Sequence, residues 1–430
     1  MRADSLKVLI VGGGGREHAL AWKIAQSPRV AKLFAAPGNA GIAQVAECVD
    51  IKAKDISALA GFAHLEGIDL TVVGPESPLI AGIVDEFQAR GLTIFGPTAQ
   101  AARLEGSKSF TKEILHGSCI PTAASDTFTD PNMAARRLQE HFADSSHPIV
   151  VKADGEAAGK GVFICSRLQE GMHAINVIMM DKAFGRSGDT VVVEEYLEGE
   201  EATLMAFVSG ESLIPMASSQ DYKRAYDRDE GPNTGGMGCY APVPRVEREG
   251  IWLRALDTIV RPTLSSLRGL GIDYHGILYT GVVLTDEGPK VLEFNCRFGD
   301  PETQVVMPLM ETDLVDVIEA VIENKLDGVD VKWYNRKALC VVAASGGYPG
   351  EYQNGLPIEG LDDAADEGAI VFHAGTSNRD GCVATSGGRV LGITATGENY
   401  REAVDLAYRA VGKIRFRGMQ FRNDIGARLL

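Results

Sequence analysis

An α/β fold in three successive blocks is predicted from three observations. Short apolar runs alternate with segments whose apolar residues recur at helical spacing. Two of the early runs, Leu70–Val73 and Leu92–Phe95, lead directly into Gly-Pro, as strands of an open, mostly parallel sheet do at their ends. The 430 residues suffice for about three domains, and a hydrophobic content of 45% is ample for packed cores.

In chain order, Leu6 to Val11 reads as a first strand, followed by glycines and a helix through Ala19, Leu20, Ile24 and Ala25. The second block begins near Ser107. Its strands are expected at Ile149–Val151, Val191–Glu195, Leu204–Val208, Ile277–Leu284 and Val291–Arg297. Residues 324–330 are polar and charged, as a linker would be. The last block has strands at Ala338–Ala344 and Arg389–Ala395. Its helix carries Ala403, Leu406, Ala407, Ala410, Val411 and Ile414 on one face. The expected domains are therefore 1–106, 107–327 and 328–430, without repeats or low-complexity segments.

Composition excludes several classes. No window approaches the ~18 uncharged apolar residues of a membrane span. Lys7 interrupts the first apolar stretch, so no signal peptide is expected. Seven widely spaced cysteines form no C-x-x-C pair, which fits a reducing cytoplasm and argues against structural zinc or a disulfide framework. A net charge of −16 disfavours nucleic acid as a partner. It leaves room for a nucleotide site, because screening over about 8 Å gives control to local lysines.

The most informative segment runs from Val291 to Glu302. Read as a strand, it points Leu292, Phe294 and Cys296 into an apolar layer and Glu293, Asn295 and Arg297 onto one polar line. A hard cation takes oxygen ligands, often one or two carboxylates together with substrate phosphates. Glu293 and Asn295 offer such donors, and Arg297 stands one step further to meet phosphate or carboxylate oxygens. The alternative reading is a solvated strand face with a surface ion pair.

Glycine loops supply the phosphate chemistry. Gly12-Gly13-Gly14-Gly15 follows a strand and opens a helix, where free N–H groups suit a phosphate. It is no dinucleotide fingerprint: Glu17 occupies the third glycine position, and no acid ends the next strand. A purely structural turn is the alternative. Gly74-Pro75-Glu76 is a second loop at a strand's carboxyl end. Lys152 closes an apolar strand and leads into Gly155 through Gly161, a glycine flap that fails the Walker A spacing. Lys108 alone reads more readily as a surface lysine. Glu194, Glu195, Tyr196 and Leu197 end a strand whose backbone could meet an adenine edge, with Glu200 placed for ribose hydroxyls; a plain strand end is the other reading.

Together these pieces resemble the ATP-grasp superfamily and, within it, the phosphoribosylamine–glycine ligase (glycinamide ribonucleotide synthetase) family. The resemblance covers essentially the whole chain. It rests on Gly14 to Leu20, Pro37 to Gly41, Leu104 to Lys108, Lys152 to Gly161, Ser219 to Arg224, Gly231 to Gly238 and Arg297 to Gln304, seven motifs in order. Gly346 to Gly350 and Gly387 to Leu391 look like the family's C-terminal domain, and the resemblance ends with it, as in a monofunctional form. It implies an N-terminal open parallel sheet domain for substrate, a central ATP-grasp domain with a lid subdomain at about 120–195, and a C-terminal α+β domain.

The implied reaction joins glycine to 5-phosphoribosylamine at the expense of ATP, through an acyl phosphate, in purine biosynthesis. Lys108, Lys152, Gly159, Lys160, Gly161, Glu194, Glu195, Tyr196, Leu197 and Glu200 would bind ATP, and Glu293 and Asn295 the Mg²⁺ or Mn²⁺. Arg297, Lys152, Asp221 and Lys223 would be catalytic. Gly14, Gly15, Arg16, Glu17, Asn39, Asp221, Lys223, Thr234, Gly235, Gly236, Met237, Gly238, Asp300 and Glu302 would hold the small substrates. The family is often monomeric, so a monomer is expected, and the cysteine usage places it in the cytoplasm.

Three positions depart from its pattern. Glu156 stands where the flap usually has an apolar residue, and Tyr222 replaces a usual histidine. The strand at Tyr279–Val283 offers no acidic metal ligand. Two rivals are a carboxylase working through carboxyphosphate, which has no reason to carry Asp221 to Arg224 followed by Thr234 to Gly238, and a nucleotide sensor without turnover, against which the intact lysines, Glu293, Asn295 and Arg297 argue.

Overall fold

The computed structural model describes residues 5–155 and 161–430. The N-terminal sheet is five-stranded and all parallel, in the order Glu47–Cys48, Val30–Pro37, Leu6–Gly12, Leu70–Val73, Ile94–Phe95. Near-continuous apolar runs make its central strands because both faces are covered; Val8, Leu9, Ile10 and Val11 are fully buried. The last strand is shorter than expected, starting at Ile94 rather than Leu92. The helix Gly15–Ile24 leaves the first strand through the glycine loop. The helix Ile56–Glu66 starts at Asp55, which caps Ala58 N, and stops at Gly67, whose φ of 64° suits glycine.

Two antiparallel sheets follow. Ser125–Phe128, Val191–Glu195, Ile149–Ala153 and Val162–Cys165 form one, adjacent in that order. It packs a core of its own, with Leu138, Ile149, Val151, Ile178 and Val193. The other is ordered Ser212–Pro215, Glu200–Ser209, His275–Thr285, Gly288–Asn295. Its last strand corrects the clean alternation expected from Val291 to Arg297. Gly281 pairs with Glu293 and Val282 with Val291, so Leu292 is the extra residue of a β-bulge. Leu292 therefore lines the cleft beside Glu293 instead of joining the apolar layer. The strand ends at Asn295, and Arg297 sits in the turn beyond it.

The C-terminal sheet draws on two blocks of sequence. Its order is Gln220–Asp221, Gly238–Ala241, Lys337–Ala344, Arg389–Gly397, Ile370–His373, all antiparallel. Its first two strands come from the middle of the chain, before residue 328. The helix Tyr400–Val411, capped by Asn399, covers it with Ala403, Ala407, Ala410 and Val411. Ile414, expected on that helix, lies past its end but is buried. Residues 324–330 are not a loose connection, since a short turn at Leu326–Gly328 buries Leu326. Among the described residues no helix is long and apolar enough to cross a membrane.

Candidate active site

A cleft of about 840 Å³ is walled by both antiparallel sheets, the helix Lys108–Gly117, the N-terminal block and the C-terminal sheet. Cations line one end. Lys108 begins its helix after Ser107, whose hydroxyl caps Phe110 N. Its Nζ donates to Gly155 O at 2.9 Å. Burial pushes its pKa down, opposed by Glu293 and reinforced by Lys152. Asp154 holds this corner by accepting from Ser109 N at 3.1 Å and Ser109 Oγ at 2.7 Å.

Lys152 reaches the cleft from the strand Ile149–Ala153 and pairs with Glu194 Oε1 on the neighbouring strand. Lys112 Nζ lies 2.8 Å from the other oxygen, an ion pair outside hydrogen-bond alignment, and donates to Thr122 Oγ1 at 2.9 Å and Ala123 O at 3.3 Å. Glu194 is 3% exposed, and despite burial the two lysines hold its carboxyl below the usual range. Its carboxylate is thus engaged by lysines. Glu195, Tyr196, Leu197 and Glu200 line the cleft next to it.

Glu293 faces the same space. Among the described residues it makes no ion pair or hydrogen bond, yet burial is outweighed by Lys223, Lys152, Lys108 and Arg297, which keep it ionised. Asn295 Oδ1 accepts from Arg297 Nη2 at 3.2 Å. Arg297 is held by Glu105 at 2.9 Å and Glu76 at 3.3 Å, while Glu105 Oε2 accepts from Cys296 N at 2.7 Å. No group of three or more His, Cys, Asp or Glu among the described residues forms a metal cluster. The two oxygen donors Glu293 and Asn295 suit a hard cation that takes its remaining ligands from phosphates and water.

Asp221 and Lys223 stand on the adjoining wall. Lys223 Nζ pairs with Glu201 at 2.7 Å; burial opposes its charge, but Glu201 and Asp221 hold the proton on it. Burial pushes Asp221 up to about 7, helped by Glu302, Glu201 and Glu293 against Lys223. Glu302 is buried and accepts from Tyr279 OH at 2.9 Å and Thr203 Oγ1 at 3.3 Å. Asp300 Oδ1 accepts from Gln304 Nε2 at 2.8 Å. Thr234, Gly235 and Asp300 line the cleft; Met237 and Gly238 are buried beneath it, and Gly236 packs against Pro301.

Other expected site residues are placed differently. Arg16 lines the cleft and donates to Phe298 O at 3.0 Å. Glu17 turns inward, accepting from Gly14 N at 2.5 Å and Arg16 Nε at 2.6 Å. Asn39 is used internally on both sides of its amide: Nδ2 donates to Gly13 O and His373 O, and Oδ1 accepts from Gly41 N and Ile42 N. Gly14 and Gly15 open the helix beside Asp300 and Gln304. Tyr222 borders the cleft but is buried, and its hydroxyl is turned to accept from Gly426 N at 3.0 Å. Gly161 borders the cleft, while Glu156, Gly159 and Lys160 lie outside the described residues.

Sequence reading missed Lys112 and the reach of Arg389 into the cleft, took Glu76 only as part of a loop at a strand's carboxyl end, and turned Leu292 to the wrong side. Lys112 carried a signal, standing one turn after Lys108 on the same helix face. The role of Glu105 lay hidden in a motif read for its lysine.

Comparison with known proteins gives a consistent picture. Residues 6–105 match the phosphoribosylglycinamide synthetase N domain, 106–303 its ATP-grasp (A) domain and 338–428 its C domain. A phosphoribosylamine–glycine ligase of Pseudomonas aeruginosa is 52% identical over 428 residues, covering 99% of this chain and 98% of that one. The corresponding ligase of Caldanaerobacter subterraneus is 50% identical over 422 residues, covering 98% and 100%. A crystal structure of a phosphoribosylamine–glycine ligase from Thermotoga maritima superposes with a TM-score of 0.83 at 32% identity, covering 98% of this chain and 100% of that one. A biotin carboxylase from Campylobacter jejuni shares the fold, with a TM-score of 0.72 at 13% identity over 96% and 92% of the two chains.

Proposed function

The chain belongs to the phosphoribosylglycinamide synthetase family, and from that premise we propose how its cleft performs the family's reaction. The enzyme is a phosphoribosylamine–glycine ligase of purine biosynthesis that uses ATP to join glycine to 5-phosphoribosylamine. In our reading a glycine carboxylate oxygen attacks the γ-phosphorus as the bond to the β-phosphate oxygen breaks and ADP leaves. The amine nitrogen then attacks the acyl carbon, the carbon–oxygen bond to phosphate breaks, and the nitrogen gives up a proton.

The observation that carries this reading is the Glu293 carboxylate, kept ionised and without a direct partner among the described residues, sharing one cleft with Lys108, Lys152, Lys223 and Arg297. Phosphoryl transfer asks for positioning and charge neutralisation more than for a protein nucleophile. At an effective dielectric of 20, a unit charge about 4 Å from developing negative charge contributes ~4 kcal/mol. Lys108 and Lys152 neutralise the phosphates, and Arg297, fixed by Glu105 and Glu76, meets the transferring group or the glycine carboxylate. Glu293 and Asn295 fit a divalent cation, Mg²⁺ or Mn²⁺, which when bound supplies further charge on the phosphates. Asp221, titrating at about 7, is suited to take the amine proton. The backbone and side chains of Glu195 to Leu197 and Glu200 face the nucleoside. Arg16, Asp300, Glu302 and the Thr234–Gly238 turn face glycine and the sugar amine.

The test is ADP release from ATP and Mg²⁺ with phosphoribosylamine generated in situ, with glycine present and omitted. ADP appearing only with both glycine and the amine, alongside glycinamide ribonucleotide, is the expected result. Release without glycine but with bicarbonate would instead assign a carboxylase chemistry; no release under any condition would refute turnover.

A further inference from the structure

One guanidinium of the C-terminal sheet spans two walls of the cleft. Arg389 opens the strand Arg389–Gly397, two strands away from Gly238–Ala241 in the same sheet. Its Nη1 donates to Asp300 O at 2.9 Å and to Gly235 O at 2.5 Å, and lies 3.2 Å from Asp300 Oδ1. From the same block, Tyr348 OH accepts from Gly235 N at 3.1 Å. Both backbone polar groups of Gly235 are therefore held by the C-terminal block.

The glycines of this turn make that seating possible. A Cβ on Gly235 would sit 2.9 Å from Arg389 Cζ, and one on Gly236, whose φ is +107°, would sit 2.5 Å from Pro301 Cδ. The loop bearing Asp300, the turn at Gly235 and the guanidinium thus form one close-packed unit. That unit borders the first glycine loop: Gln304 Nε2 bonds Asp300 Oδ1 and lies 2.6 Å from where a Cβ of Gly15 would be. It shares no hydrogen bond or ion pair with Lys108, Lys152 or Glu194 among the described residues. Asp300 lines the cleft, and its Oδ2, which accepts no hydrogen bond from the described residues, lies beside Gly14 of the first glycine loop, as a carboxylate receiving a sugar hydroxyl would.

We infer that Arg389, with Tyr348, is a positioning residue for the sugar amine: it fixes Asp300 and the Gly235 turn as the wall against which phosphoribosylamine docks. The inference rests on the ligase reading above and adds the residues that set affinity for one of its three substrates. Arg389 touches the wall and not the reacting atoms, so its effect falls on the affinity for the sugar amine. A lysine at 389 keeps the charge beside Asp300 but carries it on a flexible stem instead of a rigid planar guanidinium, so Nη1's simultaneous hold on Gly235 O and Asp300 O is loosened.

The experiment is steady-state kinetics of wild type, Arg389→Gln, Arg389→Lys and Tyr348→Phe, each substrate varied in turn, with melting temperatures in parallel. Arg389→Gln is expected to raise the apparent KM for phosphoribosylamine about tenfold or more, leaving those for ATP and glycine within about twofold. Arg389→Lys should recover part of that loss. Tyr348→Phe, which removes one oxygen, should move the same KM in the same direction by a few-fold with an unchanged melting temperature. An unchanged amine KM in Arg389→Gln and Tyr348→Phe overturns the inference. So does a parallel rise of all three KM values with a fall in melting temperature. Wild-type protein that never consumes the amine would overturn the ligase reading and this inference with it.

Discussion

Glu293 keeps its charge because four cations surround it, not because any one of them touches it. Glu293→Ala is therefore expected to reduce ligation by about a thousandfold or more, the scale of losing charge stabilisation at a reacting phosphate. Its melting temperature should stay within a few degrees of wild type, since Glu293 makes no direct ion pair among the described residues; near-normal turnover would sink the assignment. Asp221 shows the opposite balance. Its carboxyl titrates at about 7 in the folded chain against an ordinary 3.8, so the folded state holds the extra proton between those values. The stability this gives is fully present below 3.8 and is lost as pH rises through 7. In Asp221→Asn that decline disappears. Thermal melts at about pH 4 and about pH 8 should show the variant gaining on wild type at the higher pH, while its turnover falls.

The helix Lys108–Gly117 and the sheet carrying Lys152 are joined by one buried carboxylate. Glu194 sits between Lys112 and Lys152, so the helix that presents Lys108 is registered against the strand that presents Lys152. Removing one member of a buried ion set leaves the others uncompensated. Glu194→Gln should cost about 3 kcal/mol, read from urea unfolding, and Lys112→Met in the same chain should restore part of it. Additive losses in the double variant would refute the coupling. At this scale the element types were readable, because apolar runs and helical spacing are local. The bulge at Leu292 was not: it follows from the pairing register with the neighbouring hairpin strand His275–Thr285, a relation between two strands that alternation along one does not encode.

Across the whole molecule, the C-terminal segment is tied to the cleft's outer hairpin, Arg224–Tyr226 with Glu230–Asn233. Arg422 is 1% exposed and donates to Asp229 at 2.9 Å, to both oxygens of Asp424 at 2.7 Å, and to Arg224 O at 3.2 Å; its guanidinium lies 4.8 Å from the Tyr222 ring centre. Charge-assisted bonds of this kind contribute about 2 kcal/mol net when partly buried. Arg422→Ala should lower the melting temperature by several degrees, and Arg422→Lys should rescue little because a point charge cannot span the fork. Full rescue by lysine would show that charge alone matters there.

The sequence by itself determined the α/β class, the carboxyl-end glycine loops and the cations and oxygen donors of the site. The class and the glycine loops follow from local composition and period, Glu293, Asn295 and Arg297 from alternation along one strand, and Lys108, Asp221 and Lys223 from the family resemblance; with Lys152 these residues line one cleft. Tertiary structure alone decided what those groups do to one another. Glu194, read for a nucleoside, is occupied by two lysines; Glu17 and Asn39, read for a substrate, satisfy the backbone around them. It also decided that strands near 220 and 240 complete a sheet with strands beyond 337, bringing Arg389 to Gly235. Pairings between residues more than a hundred positions apart depend on how whole layers pack, and no local period carries that information.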